Sequence, residues 1–285
     1  MEKVYDPETL NKIQQTELEM LRDFDALCDK YGIEYFAVGG TTIGCLRHGG
    51  FIPWDDDIDL GMLREDYEKF LRVAEQEYGK KYSVLNFEKD HRYPLMTTRW
   101  VKNGTVFLEE CFKHLSCNFG IFLDLYCFDN IPDDDMKMKK QGFWAWFWGK
   151  WLVLLSVSEP VLYQNGLLQK IILLACKALH GIMNFLHVKP EFFYKKAQKH
   201  IQKYRHQDTK RVAYMFDPKP FMSIMDKTDV LPTHKMLYED DKTQIRVQKN
   251  MAKYCRFRFG DYMTMPPEGK RHNHMPYKLD FGDSK

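Results

Sequence analysis

Val38-Gly39-Gly40-Thr41-Thr42, Arg47-His48-Gly49-Gly50-Phe51-Ile52-Pro53-Trp54 and Asp55-Asp56-Asp57-Ile58-Asp59-Leu60-Gly61 follow one another within 24 positions, and the rest of the chain is read from them. A diglycine closes a short apolar run. A second glycine pair and a Pro-Trp then lead into four acids within five positions. Solvated acidic tails do not interleave Trp, Ile and Leu with their carboxylates. In a strand, residues two apart share a face, so Asp55, Asp57 and Asp59 are expected together, opposite Asp56, Ile58 and Leu60. Adjacent carboxylates repel unless a cation lies between them. Oxygen ligands of this kind suit Mg²⁺, which binds through one or two carboxylates plus substrate phosphates. A diglycine lets backbone approach a phosphate closely. The parts together point to a metal–phosphate site. A calcium loop counted from Asp55 would need Gly and Glu where Leu60 and Asp66 stand. An acidic turn without a ligand is the remaining plain reading.

Positions 39–62, from Gly39 through Trp54 and the acids to Met62, closely resemble the signature of the LicD family. These are phosphocholine transferases of the nucleotidyltransferase-fold superfamily, related to fukutin-type ribitol-phosphate transferases. The similarity extends to Asn118–Leu125 and Asp129–Asp134. It resumes at Tyr238-Glu239, Phe259–Met263, Pro266-Pro267 and Arg271 to His274. It implies an α+β fold, a nucleotidyltransferase-like mixed sheet flanked by helices, with an added helical subdomain. It also implies that Asp57 and Asp59 hold Mg²⁺, with Mn²⁺ as a substitute, against the diphosphate of CDP-choline. Gly39, Gly40 and Thr41 would present N–H and hydroxyl groups to the same phosphates. Arg47, His48, Arg99, Arg271 and His274 are the candidate cations for the diphosphate. Phosphocholine would pass to a sugar hydroxyl of a glycan or lipid-linked glycan, releasing CMP. A polyol-phosphate or nucleotidyl transferase, or an inactive glycan- or lipid-binding member, are the alternatives.

Ile121-Phe122-Leu123-Asp124-Leu125-Tyr126 is an apolar run holding one acid. An unpaired buried carboxylate is costly, so Asp124 needs a metal, an Arg or a cluster of N–H groups. The resemblance makes it the third active-site carboxylate, and a candidate acceptor for the proton of the attacking hydroxyl.

Apolar spacing predicts a helix over 10–31 ending at Gly32, and another over 64–78. Strands are expected at 33–38, 83–87, 94–101 and 105–109. Thr41 or Thr42 is expected to cap a short helix running to Arg47, and Asp133-Asp134-Asp135 to open another. Four of the six tryptophans fall between 144 and 151, followed by apolar stretches that Lys150, Glu159, Lys170 and Lys177 interrupt. No uninterrupted run reaches the ~20 residues of a membrane span. This segment is expected to be a buried helical hairpin or, alternatively, an interfacial helix at a bilayer. Residues 1–135 are thus read as the catalytic core, 136–211 as a helical aromatic and basic part, and 212–285 as a part completing the active site.

The formal net charge is +2, which gives no global preference for nucleic acid. Seven cysteines without a paired metal motif, and no signal peptide, fit a reducing cytoplasm. The location expected is cytoplasmic, at the inner face of a membrane if the aromatic segment contacts one. A fukutin-type relative binds zinc through cysteines, but Cys111 and Cys117 supply two thiols rather than four ligands, so zinc is not expected.

Overall fold

Asp6 starts the first helix by accepting a hydrogen bond from the Thr9 N–H at 2.9 Å, with proline in the first helical turn. α1 (Pro7–Tyr31) ends at Gly32 in the left-handed conformation and buries Ile13, Leu18, Leu21, Phe24 and Leu27. The structure, a computed structural model, describes residues 5–160, 166–271 and 273–282. The middle of the aromatic segment, 161–165, and parts of the polar tail lie outside the described residues. After α1 come β1 (Phe36–Ala37), α2 (Gly39–Arg47), β2 (Asp59–Leu63), α3 (Arg64–Tyr78), β3 (Tyr82–Leu85), β4 (Thr98–Lys102), β5 (Val106–Glu109) and β6 (Phe122–Ile131). A helical layer follows: α4 (Asp135–Ser156), α5 (Leu167–Phe185) and α6 (Pro190–Ile201). The chain then returns through β7 (Arg211–Tyr214), β8 (Ser223–Asp226), α7 (Lys227–Val230), β9 (His234–Leu237), β10 (Gln244–Val247), α8 (Met251–Phe259) and β11 (Pro276–Asp280).

The fold is α+β. A seven-stranded mixed sheet runs β1-β2-β6-β4-β3, with β7 on the far half of β6 and β8 beyond it. β2 and β6 are parallel, and their register sets Asp59 opposite Asp124. β4 is antiparallel to β6 and sets Arg99 opposite Asp124. Three strands therefore bring two acids and one guanidinium into a row. Trp100, fully buried on β4, has the rings of Phe24, Phe70 and Tyr82 at 5.7, 5.9 and 4.2 Å. Burying side chains of this size stabilises the sheet by about 1.5–3 kcal/mol each.

Several local expectations are corrected. Only Asp59 of the four acids lies in a strand; Asp55 to Ile58 form a loop. Four carboxylates in one strand would crowd on two faces, whereas a loop turns each to its own partner. Thr41 and Thr42 do not cap α2, which begins at Gly39 after the extended Val38 and without a side-chain cap. The expected strand over 33–38 pairs only at Phe36 and Ala37. Asp134 caps α4 by accepting from the Lys137 N–H, as the acid run predicts.

The aromatic segment divides. α4 buries Met138, Ala145, Gly149, Leu152 and Leu155, while α5 buries Met183 alone. A buried hairpin therefore describes α4 but not α5. By length and composition α5 is apolar enough to cross a membrane, contrary to the reading of interrupted runs, because two lysines in 19 residues do not cancel its Leu and Ile content.

Candidate active site

Asp57, Asp59 and Asp124 each offer a carboxylate oxygen within 4.8 Å of the others. Strand register supplies Asp59 and Asp124, and the loop just before β2 supplies Asp57. The Asp59 N–H donates to Thr41 Oγ1 at 2.8 Å, and Tyr126 Oη donates to Asp59 Oδ1 at 3.0 Å. Tyr126 stands two residues beyond Asp124, on the same face of β6.

The diglycine makes room for these acids. A Cβ on Gly39 would stand 2.0 Å from Asp59 Oδ2, and one on Gly40 would stand 2.8 Å from Asp55 Oδ2. Gly39 also has φ +56°, where a side chain is strained. Its N–H donates to Tyr254 Oη at 3.0 Å. The Gly39 N–H and the Thr41 hydroxyl thus engage protein atoms, and the signature's glycines shape the carboxylate cluster.

Asp56 groups instead with Asp57 and His274. It is buried and accepts from Tyr5 Oη at 2.7 Å and from the His274 N–H at 2.9 Å. β11 pairs with β5 and so returns the C-terminal segment to the acids. The His274 imidazole then lies 3.3 Å from Asp56 and 3.4 Å from Asp57, and the Asp57 charge holds its pKa well above the ordinary value.

Burial raises the pKa of Asp57, Asp59 and Asp124. Neighbouring carboxylates add to the rise, while His274 opposes it at Asp57 and Arg99 at Asp124. Asp55 is pushed up to about 7 by burial and then by Asp59. Glu17, on the buried face of α1, is raised by burial and by the same acids, and its Oε2 has no hydrogen-bond partner among the described residues. A set of carboxyl groups this hard to ionise calls for a cation.

The acids open into a cavity of about 320 Å³ whose other walls are α4 and the segment after β7. Arg99 Nε bonds Asp124 at 3.2 Å, and its terminal nitrogens bond Glu109, both at 3.2 Å. Its guanidinium is therefore occupied in orienting Asp124. Arg258 from α8 is held by Asp217 at 2.9 Å and by Ser223. Asp217 keeps one buried oxygen without a hydrogen-bond partner among the described residues. Lys150 from α4 is different. It lines the cavity, has no carboxylate partner among the described residues, and burial lowers its pKa. Trp146, one turn earlier, is fixed by donating to the Asp217 carbonyl at 3.0 Å.

Three predicted cations lie elsewhere. Arg47 donates to the Tyr262 carbonyl at 2.7 Å and to the ring of His48 at 2.9 Å. Arg271 lies over the Trp54 ring, 4.6 Å from its centroid. None of the three lines the cavity. Conversely, Lys150, Arg258, Glu109 and Glu17 escaped the sequence reading, because each sits among residues whose pattern signals only a helix or a strand. Cys111 and Cys117 are half-buried thiols packed against the core.

A family model described as LicD/FKTN/FKRP, nucleotidyltransferase domain, matches residues 32–143. Residues 32–143 thus resemble the nucleotidyltransferase domain of the LicD family. It is 35% identical over 130 residues to the lipopolysaccharide cholinephosphotransferase LicD of Haemophilus influenzae, which is 44% of this chain and 46% of that protein. It is 51% identical over 56 residues to the human ribitol 5-phosphate transferase FKRP, 20% of this chain and 11% of that protein. An uncharacterized protein of Rickettsia prowazekii is 42% identical over 66 residues, 23% of this chain and 25% of its own length. The chain thus spans less than half the length of each of these relatives. Asp57, Asp59, Arg99 and Asp124 fall inside the LicD-family match. Lys150, Asp217, Arg258 and His274 complete the cavity from outside it.

Proposed function

We propose that the protein is a metal-dependent phosphotransferase that moves phosphocholine from CDP-choline to a sugar hydroxyl of a cell-envelope glycan or its lipid-linked precursor, releasing CMP. The observation that carries this reading is the convergence of Asp57, Asp59 and Asp124 on one cavity, with a lysine in its wall that has no carboxylate partner among the described residues. The Haemophilus relative's name supports the phosphocholine donor.

The three carboxylates fit Mg²⁺ or Mn²⁺: all donors are hard oxygens, and all are raised by burial in a way a divalent charge would relieve. When bound, such an ion neutralises and orients the phosphates of the donor. The protein groups do the rest. Phosphoryl transfer has a loose transition state, so positioning and charge balance carry most of the catalysis. Lys150 and the protonated His274 place positive charge at the diphosphate. Arg99 holds Asp124 at one oxygen, fixing the carboxyl group that takes the proton of the attacking hydroxyl. Trp146 and α4 roof the cavity and restrict water. A CDP-type donor and seven unpaired cysteines suit the cytoplasm.

A second reading, transfer of ribitol phosphate or another polyol phosphate, is favoured by the 51% identity over 56 residues to the ribitol 5-phosphate transferase. One panel tests both: CDP-choline, CDP-ribitol and CDP-glycerol, with Mg²⁺, Mn²⁺ or EDTA, reading CMP release. CDP-choline should be turned over only with the metal. Turnover of a polyol donor alone replaces the first reading with the second. CMP release in EDTA at the full rate removes the metal.

A further inference from the structure

We infer that α5, with the basic helices beside it, is a docking surface for an anionic lipid bilayer. At 3.6 residues per turn, Leu167, Ile171, Leu174, Ile182 and Phe185 fall in one stripe, with Leu168, Leu179 and Leu186 beside it. These side chains are exposed, from 37% at Leu179 to 81% at Phe185. Lys170 and Lys177 run along one flank of the stripe. The inner side of α5 is tied to the end of α4: His180 Nδ1 bonds the Leu154 carbonyl at 2.9 Å. Helix α5 is therefore anchored by one side and apolar on the other. Phe143, Trp144 and Phe192 extend the exposed apolar surface onto α4 and α6.

Charge selects the occupant. Residues 135–205 contain twelve Lys and Arg against three Asp and Glu, a net charge of +9. The chain as a whole is +2, so the remainder is −7. Of the twelve cations, only Lys177 and Arg205 have a carboxylate partner among the described residues. Lys150 faces the cavity; lysines such as Lys170, Lys189, Lys196 and Lys203 are available to a partner. A second copy of the chain would offer the same unpaired lysines to themselves, which costs energy. An anionic bilayer meets both needs, because its headgroups pair with the lysines and its acyl boundary takes the Leu and Phe stripe. Each Lys near such a surface adds to the attraction, and salt screens it. Interfacial helices of this composition lie in the membrane plane. Helices α5 and α6 lie outside residues 32–143, and the surface does not depend on which donor is used.

The test is flotation of the purified full chain with vesicles of phosphatidylcholine, with and without phosphatidylglycerol. The protein should float with the anionic vesicles at low salt and lose at least about tenfold in affinity at high salt. Leu174→Glu with Ile182→Glu, both at exposed positions, should abolish flotation while helical content and CMP release from a soluble donor stay unchanged. Equal binding to neutral vesicles, or no flotation at low salt, overturns the inference. So does sedimentation showing a dimer that the same double variant dissolves. Flotation is read without a donor, so failure here and failure of the proposed reaction are distinguishable.

Discussion

The acid cavity and the α4–α6 layer solve opposite problems. Around the cavity, polar groups are buried and almost every one is tied down: Asp56 by Tyr5 and His274, Asp59 by Tyr126, Asp124 by Arg99. In the helical layer, apolar side chains are exposed and most lysines have no carboxylate. The first region keeps acidic groups inside, where burial makes them hard to ionise. The second keeps unfavourable apolar surface outside and needs a surface. α4 belongs to both, since it supplies Lys150 and Trp146 to the cavity and anchors α5.

The largest expected effect separates acids that work from acids that hold. Asp57→Asn or Asp59→Asn should lower CMP release by about 10³-fold or more, as expected when charge at a reacting phosphate is lost. The metal-free variants should nevertheless melt higher than the wild type, because a carboxyl group that burial and its neighbours make hard to ionise is removed. Activity within tenfold of the wild type would break the assignment.

Asp56→Ala should act with the opposite sign on stability. It strands the Tyr5 hydroxyl and the His274 N–H, at about 1–3 kcal/mol for each buried group left unpaired. For a chain of this size the melting temperature should drop by about 2–4 °C per kcal/mol. Unchanged melting would show that the Asp56 tie is not structural.

Lys150→Met sharpens the boundary between the two regions. If the ammonium binds donor phosphate, the donor KM should rise about tenfold with kcat nearly unchanged. Melting should hold or rise, since a partly buried cation is removed. Equal loss of kcat and kcat/KM would place Lys150 in the transition state instead.

The smallest effect is the pH dependence of the metal-free fold. Asp55, raised to about 7, and the raised Asp57, Asp59 and Asp124 are protonated in the folded state where the unfolded chain has released its protons. Stability should then fall as pH rises from about 4 through 7. His274 works in the same direction. Its raised pKa contributes stability below the ordinary imidazole range that is lost as pH climbs through the folded value, a contribution reduced by the exposure of its ring. Metal-free protein should melt higher at pH 5 than at pH 8, and Mg²⁺ should stabilise it more at pH 8. The reverse ranking in calorimetry would show that these acids carry no strain.

The cavity's acids were legible because their chemistry is written locally. Asp57, Asp59 and Asp124 stand out as charges among apolar neighbours, and the strand period already places Asp124 and Tyr126 on one face. The cations were legible only in part: Arg99 and His274 do line the cavity. Arg47 and His48 sit inside the signature yet bond the Tyr262 carbonyl and each other, whereas Lys150 looks like a mere interruption in a tryptophan-rich helix. Which cation reaches the site depends on how α4 crosses the sheet, a contact between segments that no spacing encodes. The same limit applied to α5: its composition suits either a buried helix or an exposed one, and the choice rests on how much of it α4 and α6 can cover.

Asp56 and the backbone it holds at His274 are 218 positions apart, and the strand that brings them together, β11, ends at Asp280. A ribosome must therefore release almost all of this sequence before the acid loop can be locked. Until then the four carboxylates lack both the Asp56 tie and the His274 charge. A nascent or C-terminally clipped chain would hold its sheet and its signature, yet would lack the tie that sets the acid loop. Setting the acid loop thus depends on the segment after residue 270, and a proteolytic cut there would remove the Asp56 tie while leaving Asp57, Asp59 and Asp124 in place.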